Sequence, residues 1–291
     1  MKKTLCIMLA CLLCLVSFAP AAFAADAGER RVAIGANLNE EQRTQIFKDF
    51  GLAAGEVTEV VVTNDDERAY LAGLVPDSKI GKVALSCIYI ETLEKGAGLT
   101  VTTHNINWCT PEMYINALTT AGITDAKVSV SAPFPVSGTA ALTGSYRAYE
   151  DITGVTLSDL AKTVGVEELL LTGELTEYIG SAEAAALINE LKKILDETQN
   201  MTDTEVLAQI RDIAKTYGVE VTAAQENQLL KLCRSMEKLD VDQLQKRLMD
   251  LTNTVQNVQK AGGVISKIGE GIKTFFSSVG SFFSRLFGGK N

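Results

Sequence analysis

Apolar and polar positions follow two different periods along this chain, and the change of period divides it. Up to about residue 155, short β-branched runs alternate with helical stretches. Residues 31–36 (RVAIGA) and 57–63 (VTEVVVT) read as strands, as do 83–91, 99–107 and 125–131. Between them the helices announce their starts. Asn39 and Gln42 form a capping box for a helix ending at Gly51, Asn64 caps a short helix through Ala72, and Pro76 breaks the chain. Thr110 with Pro111 at the first helical position opens a helix ending at Gly122, and Ser137 caps another running to about Asp151. The order helix, Gly51, strand, helix recurs as helix, Gly122, strand, helix, each time after a further strand. This predicts two β-α-β-α units in one mixed sheet, an α/β (α+β) domain over residues 25–155.

From residue 156 the period is helical throughout. Residues 155–180 read as helix with breaks at Gly165 and Gly180, and Ser181 opens a helix to about Thr198. Capping boxes at Thr202/Glu205, Thr222/Gln225 and Asp240/Gln243 start three more, the last reaching Gln259. Short connections between such helices predict an all-α module over 156–261. Gly262 and Gly263 then form a hinge to a tail, 262–291, in which the period is strongest. Ile265, Ile268, Ile272, Phe275, Phe276, Val279, Phe282, Phe283, Leu286 and Phe287, with Val264, fall within an arc of about 140° at helical spacing. Lys267, Glu270, Lys273, Arg285 and several serines occupy the other face. This is a C-terminal amphipathic helix, and its stripe needs an apolar cover: a membrane surface, a groove of the helical module, or a second copy of the chain.

The other end of the chain bears on that choice. Residues 1–24 have a basic start at Lys2 and Lys3, an apolar run, and Ala22-Phe23-Ala24 as a small-x-small site, so they read as a secretory signal peptide cleaved between Ala24 and Ala25. The apolar run, at about 14 residues, is short for a membrane span. An exported, extracytoplasmic protein is expected.

Charge separates tail from body. The chain holds 27 basic and 36 acidic residues. Setting aside Lys2 and Lys3 leaves 25 against 36, a balance of −11. Residues 264–291 carry four basic side chains and one acidic, +3, which leaves −14 on the body. Such a body is a poor partner for nucleic acid, whose phosphates need clustered Lys and Arg, whereas the basic tail suits anionic lipid.

Candidate chemistry is sparse. Past the signal only Cys87, Cys109 and Cys233 remain, an odd number in an oxidising compartment. A hairpin through Lys95-Gly96-Ala97-Gly98 would bring Cys87 and Cys109 near register, leaving a bridge or two buried free thiols as the readings. His104 is the sole histidine, so neither a His-rich zinc centre nor a Cys-His pair with Cys109 finds support in the spacing. Asn64-Asp65-Asp66-Glu67 lacks the pattern of a calcium loop and reads as a cap with acids at a helix start. Ala132 to Gly144, APFPVSGTAALTG, passes from strand through two prolines into small residues. Ser137, Gly138 and Thr139 there form a candidate anion-binding helix start; the competing reading is an ordinary cap on a helix whose small residues let it lie close to the sheet. No catalytic residue, metal site or cofactor is expected.

Three phrases, GANLNEEQ (35–42), NINWCTPEMYINALTTAGITDAKVSVSAPFPVSGTAALTG (105–144) and YEDITG (149–154), together resemble the YpuA-like family of exported bacterial proteins, a domain family of unknown function. The resemblance implies export and association with the cell envelope, and it carries no enzymatic activity, cofactor or catalytic residue. The expected function is a non-enzymatic binding or interaction module, held at the membrane surface by its tail and engaging an envelope protein or polymer. The alternative is a hydrolase or transferase acting on an envelope polymer with carboxylates of the α/β domain. A self-assembling or membrane-disrupting protein is a third class, resting on the tail alone.

Overall fold

A computed structural model describes residues 27–260. The signal peptide with its Ala24–Ala25 cleavage site, the Gly262-Gly263 hinge and the stripe from Ile265 to Phe287 lie outside the described residues.

The first half forms a five-stranded mixed sheet. Its strands are β1 (Arg30–Gly35), β2 (Thr58–Val62), β3 (Cys87–Thr92), β4 (Leu99–Ile106) and β5 (Ala126–Val136), in the order β2-β1-β3-β5-β4. β1 pairs with β2 in parallel and β4 with β5 in parallel, while β3 runs antiparallel to both β1 and β5. Helices α1 (Glu40–Phe50) and α4 (Pro111–Ala121) connect the two parallel pairs, so the sheet contains two β-α-β units, each followed by a helix: α2 (Asn64–Leu71) and α5 (Thr139–Thr153). A single turn, α3 (Asp77–Ile80), follows Pro76.

The expected hairpin between the third and fourth strands does not form. β3 buries Cys87, Ile88, Tyr89 and Ile90 on both of its faces, and a strand covered on both faces sits in the middle of a sheet with partners on both edges. β5 takes the place beside it, and β4 moves to the outer edge. The connecting turn arches over the start of β5, where Asp125 Oδ1 accepts hydrogen bonds from the backbone N–H of Gly96 and Gly98 at 3.0 and 2.9 Å. Cys87 and Cys109 are consequently free and sit in different core clusters.

α1 covers one face of the sheet, with Ile46 and Phe47 against Val32, Ile34, Cys87 and Tyr89. α5 covers the other, over β1, β2 and β3. It approaches closely because Gly144 has no side chain: a Cβ there would lie 2.8 Å from Ala33 Cβ. The small-residue reading of this segment is thereby realised in packing.

The second half is helical. α6 (Asp159–Ile179), α7 (Ser181–Lys193), the single turn α8 (Leu195–Thr198), α9 (Asp203–Thr216), α10 (Ala223–Met236) and α11 (Val241–Lys260) enclose a core that includes Leu187, Ile210, Leu229 and Leu244. The capping boxes at Thr202 and Thr222 are both formed. Two expectations are corrected. Gly165 does not interrupt α6; it lets the helix touch the backbone of α4, where an added Cβ would meet Ala117 O at 2.8 Å. The cap of α2 is Thr63, boxed with Asp66, and not Asn64. α6 packs on α4, and Val166, Leu169 and Leu251 join the cluster beneath the sheet, so the helices share an apolar core with the α/β half.

Candidate functional site

The four parallel strands all point the same way, so α1, α2, α4 and α5 begin along one edge of the sheet. In open α/β sheets this carboxyl edge is where ligand crevices form. A cavity of about 150 Å³ opens there, lined by Glu67 of α2, Lys79 of α3, Ser86 before β3, and Ser137 and Thr139 at the start of α5.

Of the three residues expected to hold an anion, Ser137 and Thr139 line this crevice and Gly138 lies between them, and each already has a partner. Gly138 is the N-cap of α5, with φ 98, in place of the expected Ser137. The two prolines before it keep β5 extended to Val136, and the helix starts one residue later than a Ser137 cap requires. Ser137 Oγ donates to Lys79 O at 2.7 Å. Thr139 Oγ1 donates to Glu67 Oε1 at 2.5 Å, and Asn64 Nδ2 to Glu67 Oε2 at 3.2 Å. Ser86 Oγ accepts from the Ala141 N–H at 3.0 Å, and the Tyr114 hydroxyl donates to Gly138 O at 2.5 Å. The carboxyl facing the amino end of α5 is therefore one the chain supplies itself.

Glu67 is buried, and burial raises its pKa above the usual carboxylate range, with the Thr139 and Asn64 hydrogen bonds and the Arg68 charge opposing. A carboxyl with a raised folded pKa costs stability where it must ionise in the protein, above its folded value. The cost fades as pH falls toward the unfolded value, where both states are protonated. Glu67→Gln keeps an acceptor for Thr139 and is expected to raise the urea midpoint at about pH 7, with the gain shrinking by about pH 4. Parallel unfolding curves at the two pH values check this; a gain that grows on acidification contradicts it.

A second polar constellation is buried where α4, α6 and α7 meet. Glu168 Oε1 and Lys192 Nζ, both at 0% exposure, lie 2.5 Å apart as an ion pair that is not aligned as a hydrogen bond. Thr120 Oγ1 donates to Glu168 Oε2 at 2.5 Å. Burial lowers the Lys192 pKa, and the Glu168 charge opposes that fall. Beside the pair, Asn189 Nδ2 donates to Asn116 Oδ1 at 3.0 Å, leaving Asn116 Nδ2 and Asn189 Oδ1 unpartnered together with the hydroxyls of Thr119, Thr143 and Tyr146. Sequence reasoning passed over this group. Its signal was polar residues at i, i+3 and i+4 (Asn116, Thr119, Thr120) within an apolar helix face.

The remaining candidates stay apart. Cys109 is buried, whereas His104 is exposed on edge strand β4, opposite Ser131, and Asn105 with φ 56 shifts the register just beyond it. Burial pushes the Cys87 thiol up to about 12 and the Cys233 thiol to about 11, so both are neutral thiols at neutral pH. Among the described residues, no helix is long and apolar enough to cross a membrane.

A family described as "Protein of unknown function (DUF1002)" matches residues 34–256, a span from β1 into α11 that takes in both the sheet and the helices. The chain is 37% identical over 294 residues to the uncharacterized protein YpuA of Bacillus subtilis (strain 168), covering 97% of this chain and 100% of that protein. No solved structure matches it.

Proposed function

We infer that this chain, which belongs to the DUF1002 family of proteins of unknown function, is an exported cell-envelope protein that works as a binding module held at a membrane surface. The observation that carries the reading is the apolar stripe at 264–287, set beyond Gly262-Gly263 and bearing a charge opposite to that of the body. The body supports it from the other side. Its sheet and helices bury a core made of their own residues, down to Leu244, Leu248 and Leu251 of α11. Laid flat, each large apolar side chain of such a helix contributes roughly 1.5–3 kcal/mol on burial, and its lysines and arginine add attraction to anionic headgroups. In this reading the acidic body engages an envelope protein or polymer.

Sedimentation with anionic vesicles tests the anchor. The mature chain is expected to pellet with the vesicles, and the same chain ending at Gly263 to stay in the supernatant; equal pelleting of both forms would sink the idea. On this reading the truncated body is further expected to melt within about 2 °C of the full chain. A larger loss would mean that the stripe packs on the helical module.

A second reading, a hydrolase or transferase acting on an envelope polymer, is favoured by one observation: a buried carboxyl of raised pKa, Glu67, in a crevice at the carboxyl edge. Release of soluble fragments from isolated cell wall by the native protein, abolished in Glu67→Gln, would support it.

A further inference from the structure

Arg247, on α11, stands out by its partners. Every other arginine among the described residues lies within ion-pair distance of a carboxylate. Among these residues Arg247 has none; its side chain donates to Gln243 Oε1 at 3.2 Å. Gln243 Nε2 in turn donates to Asp240 Oδ2 at 2.8 Å, and Asp240 Oδ1 accepts from the Gln243 N–H at 3.0 Å. The nearby carboxylate is thus spent on the first turn of α11, and the relay through Gln243 positions the guanidinium. Arg247 Cζ would lie 3.6 Å from a Cβ at Gly122, so the charge sits against the carboxyl end of α4, where the helix dipole favours a cation. Burial pulls its pKa below the ordinary arginine value, yet a guanidinium keeps its charge at neutral pH.

This cation lines a crevice of about 450 Å³ on the seam between the sheet half and the helices, a size and a location typical of small-molecule sites. Leu157, Leu160, Leu239 and Leu244 form much of its apolar wall, with Tyr149 from α5. At the same crevice Val155 and Leu160 leave 48% and 43% of their surface exposed, a position that an aliphatic side chain gains by covering. An arginine with donors to spare at one end and uncovered aliphatic side chains at the other make a site with a polar and an apolar part.

We propose that this crevice binds a small amphiphile with one anionic headgroup, carboxylate or phosphate, the headgroup on Arg247 and the apolar body along Leu157, Leu160 and Leu239. The site lies wholly within the described body and stands whether or not the tail binds membrane. Lys238 and Asp240, which also line it, offset each other, so Arg247 leaves the lining with a net positive charge.

Calorimetric titration of the mature chain with decanoate, decyl phosphate and 1-decanol, each below its micelle concentration, tests this. Saturable one-to-one binding of at least one anion is expected, at least about tenfold weaker for decanol and for the Arg247→Gln variant. Leu160→Asp, at an exposed position, is expected to weaken the anion similarly while leaving the melting temperature unchanged. The two anion arms tell a carboxylate site from a phosphate site. Absence of saturable binding by either anion, or equal affinity in Arg247→Gln and the native chain, overturns the proposal. Comparison within the same full chain cancels any binding by the tail.

Discussion

Replacing Lys192 by methionine is expected to lower the unfolding free energy by about 3–5 kcal/mol. The reason is what remains behind. Glu168 is wholly buried, its Oε1 facing Lys192 Nζ at 2.5 Å and its Oε2 held by Thr120 at 2.5 Å. Without the ammonium, the carboxylate must stay charged with no counter-ion or take up a proton, and either choice costs folding energy. The cost belongs to the broken pair, so it should be largely reversible: adding Glu168→Gln removes the stranded charge while keeping an acceptor for Thr120. The double variant is expected within about 1 kcal/mol of the native protein or above it, since a buried ion pair contributes little over a neutral pair of similar volume. Denaturant unfolding of the two singles and the double measures the coupling. If Lys192→Met unfolds within about 1 kcal/mol of native, the pair is not a buried ion pair in solution.

That pair also marks where the sequence stops being legible. Element positions were readable because their determinants are local: the Asn39–Gln42 box, Thr110-Pro111 and the glycines at 51 and 122 each act within one turn, and the helices they bound are present. Strand order was not readable, because it depends on which strand is buried on both faces. Cys87 to Ile90 and Leu99 to Ile106 are both strand-like runs, and only the packing of α1 and α5 on opposite faces makes the first central and the second an edge. The carboxyl-edge crevice was half visible. Ser137, Gly138 and Thr139 could be picked out as a helix start, yet Glu67 reaches them from 72 residues away in sequence, and no spacing rule links the two. Arg247 was hidden in the same way. On the sequence it is one more cation on the polar face of a helix, and its lack of a carboxylate partner exists only once the other arginines are placed.

Gly138→Ala is the second substitution expected to act strongly, at about 2–4 kcal/mol, and it tests whether the start of α5 is a tightly packed corner. Two costs add. The backbone there has φ 98, a conformation that an L side chain resists by about 1–2 kcal/mol. The new methyl would also lie 2.6 Å from Tyr114 Oη and 2.8 Å from Ile106 Cγ2, distances that force a neighbour to move. Tyr114 cannot simply swing away, because it is fully buried and its hydroxyl donates to the Gly138 carbonyl. The two residues therefore constrain each other. Tyr114→Phe alone removes that hydrogen bond and leaves the carbonyl with only the longer bond from the Ala141 N–H at 3.2 Å, a loss of about 1 kcal/mol. In the Tyr114→Phe background the alanine methyl no longer meets an oxygen, so the added cost of Gly138→Ala should fall by about 1 kcal/mol or more, a non-additivity that only direct contact produces. Additive costs in that double-mutant cycle would mean that φ strain alone fixes the glycine, and that the corner holding Glu67 against Thr139 is looser than its geometry implies.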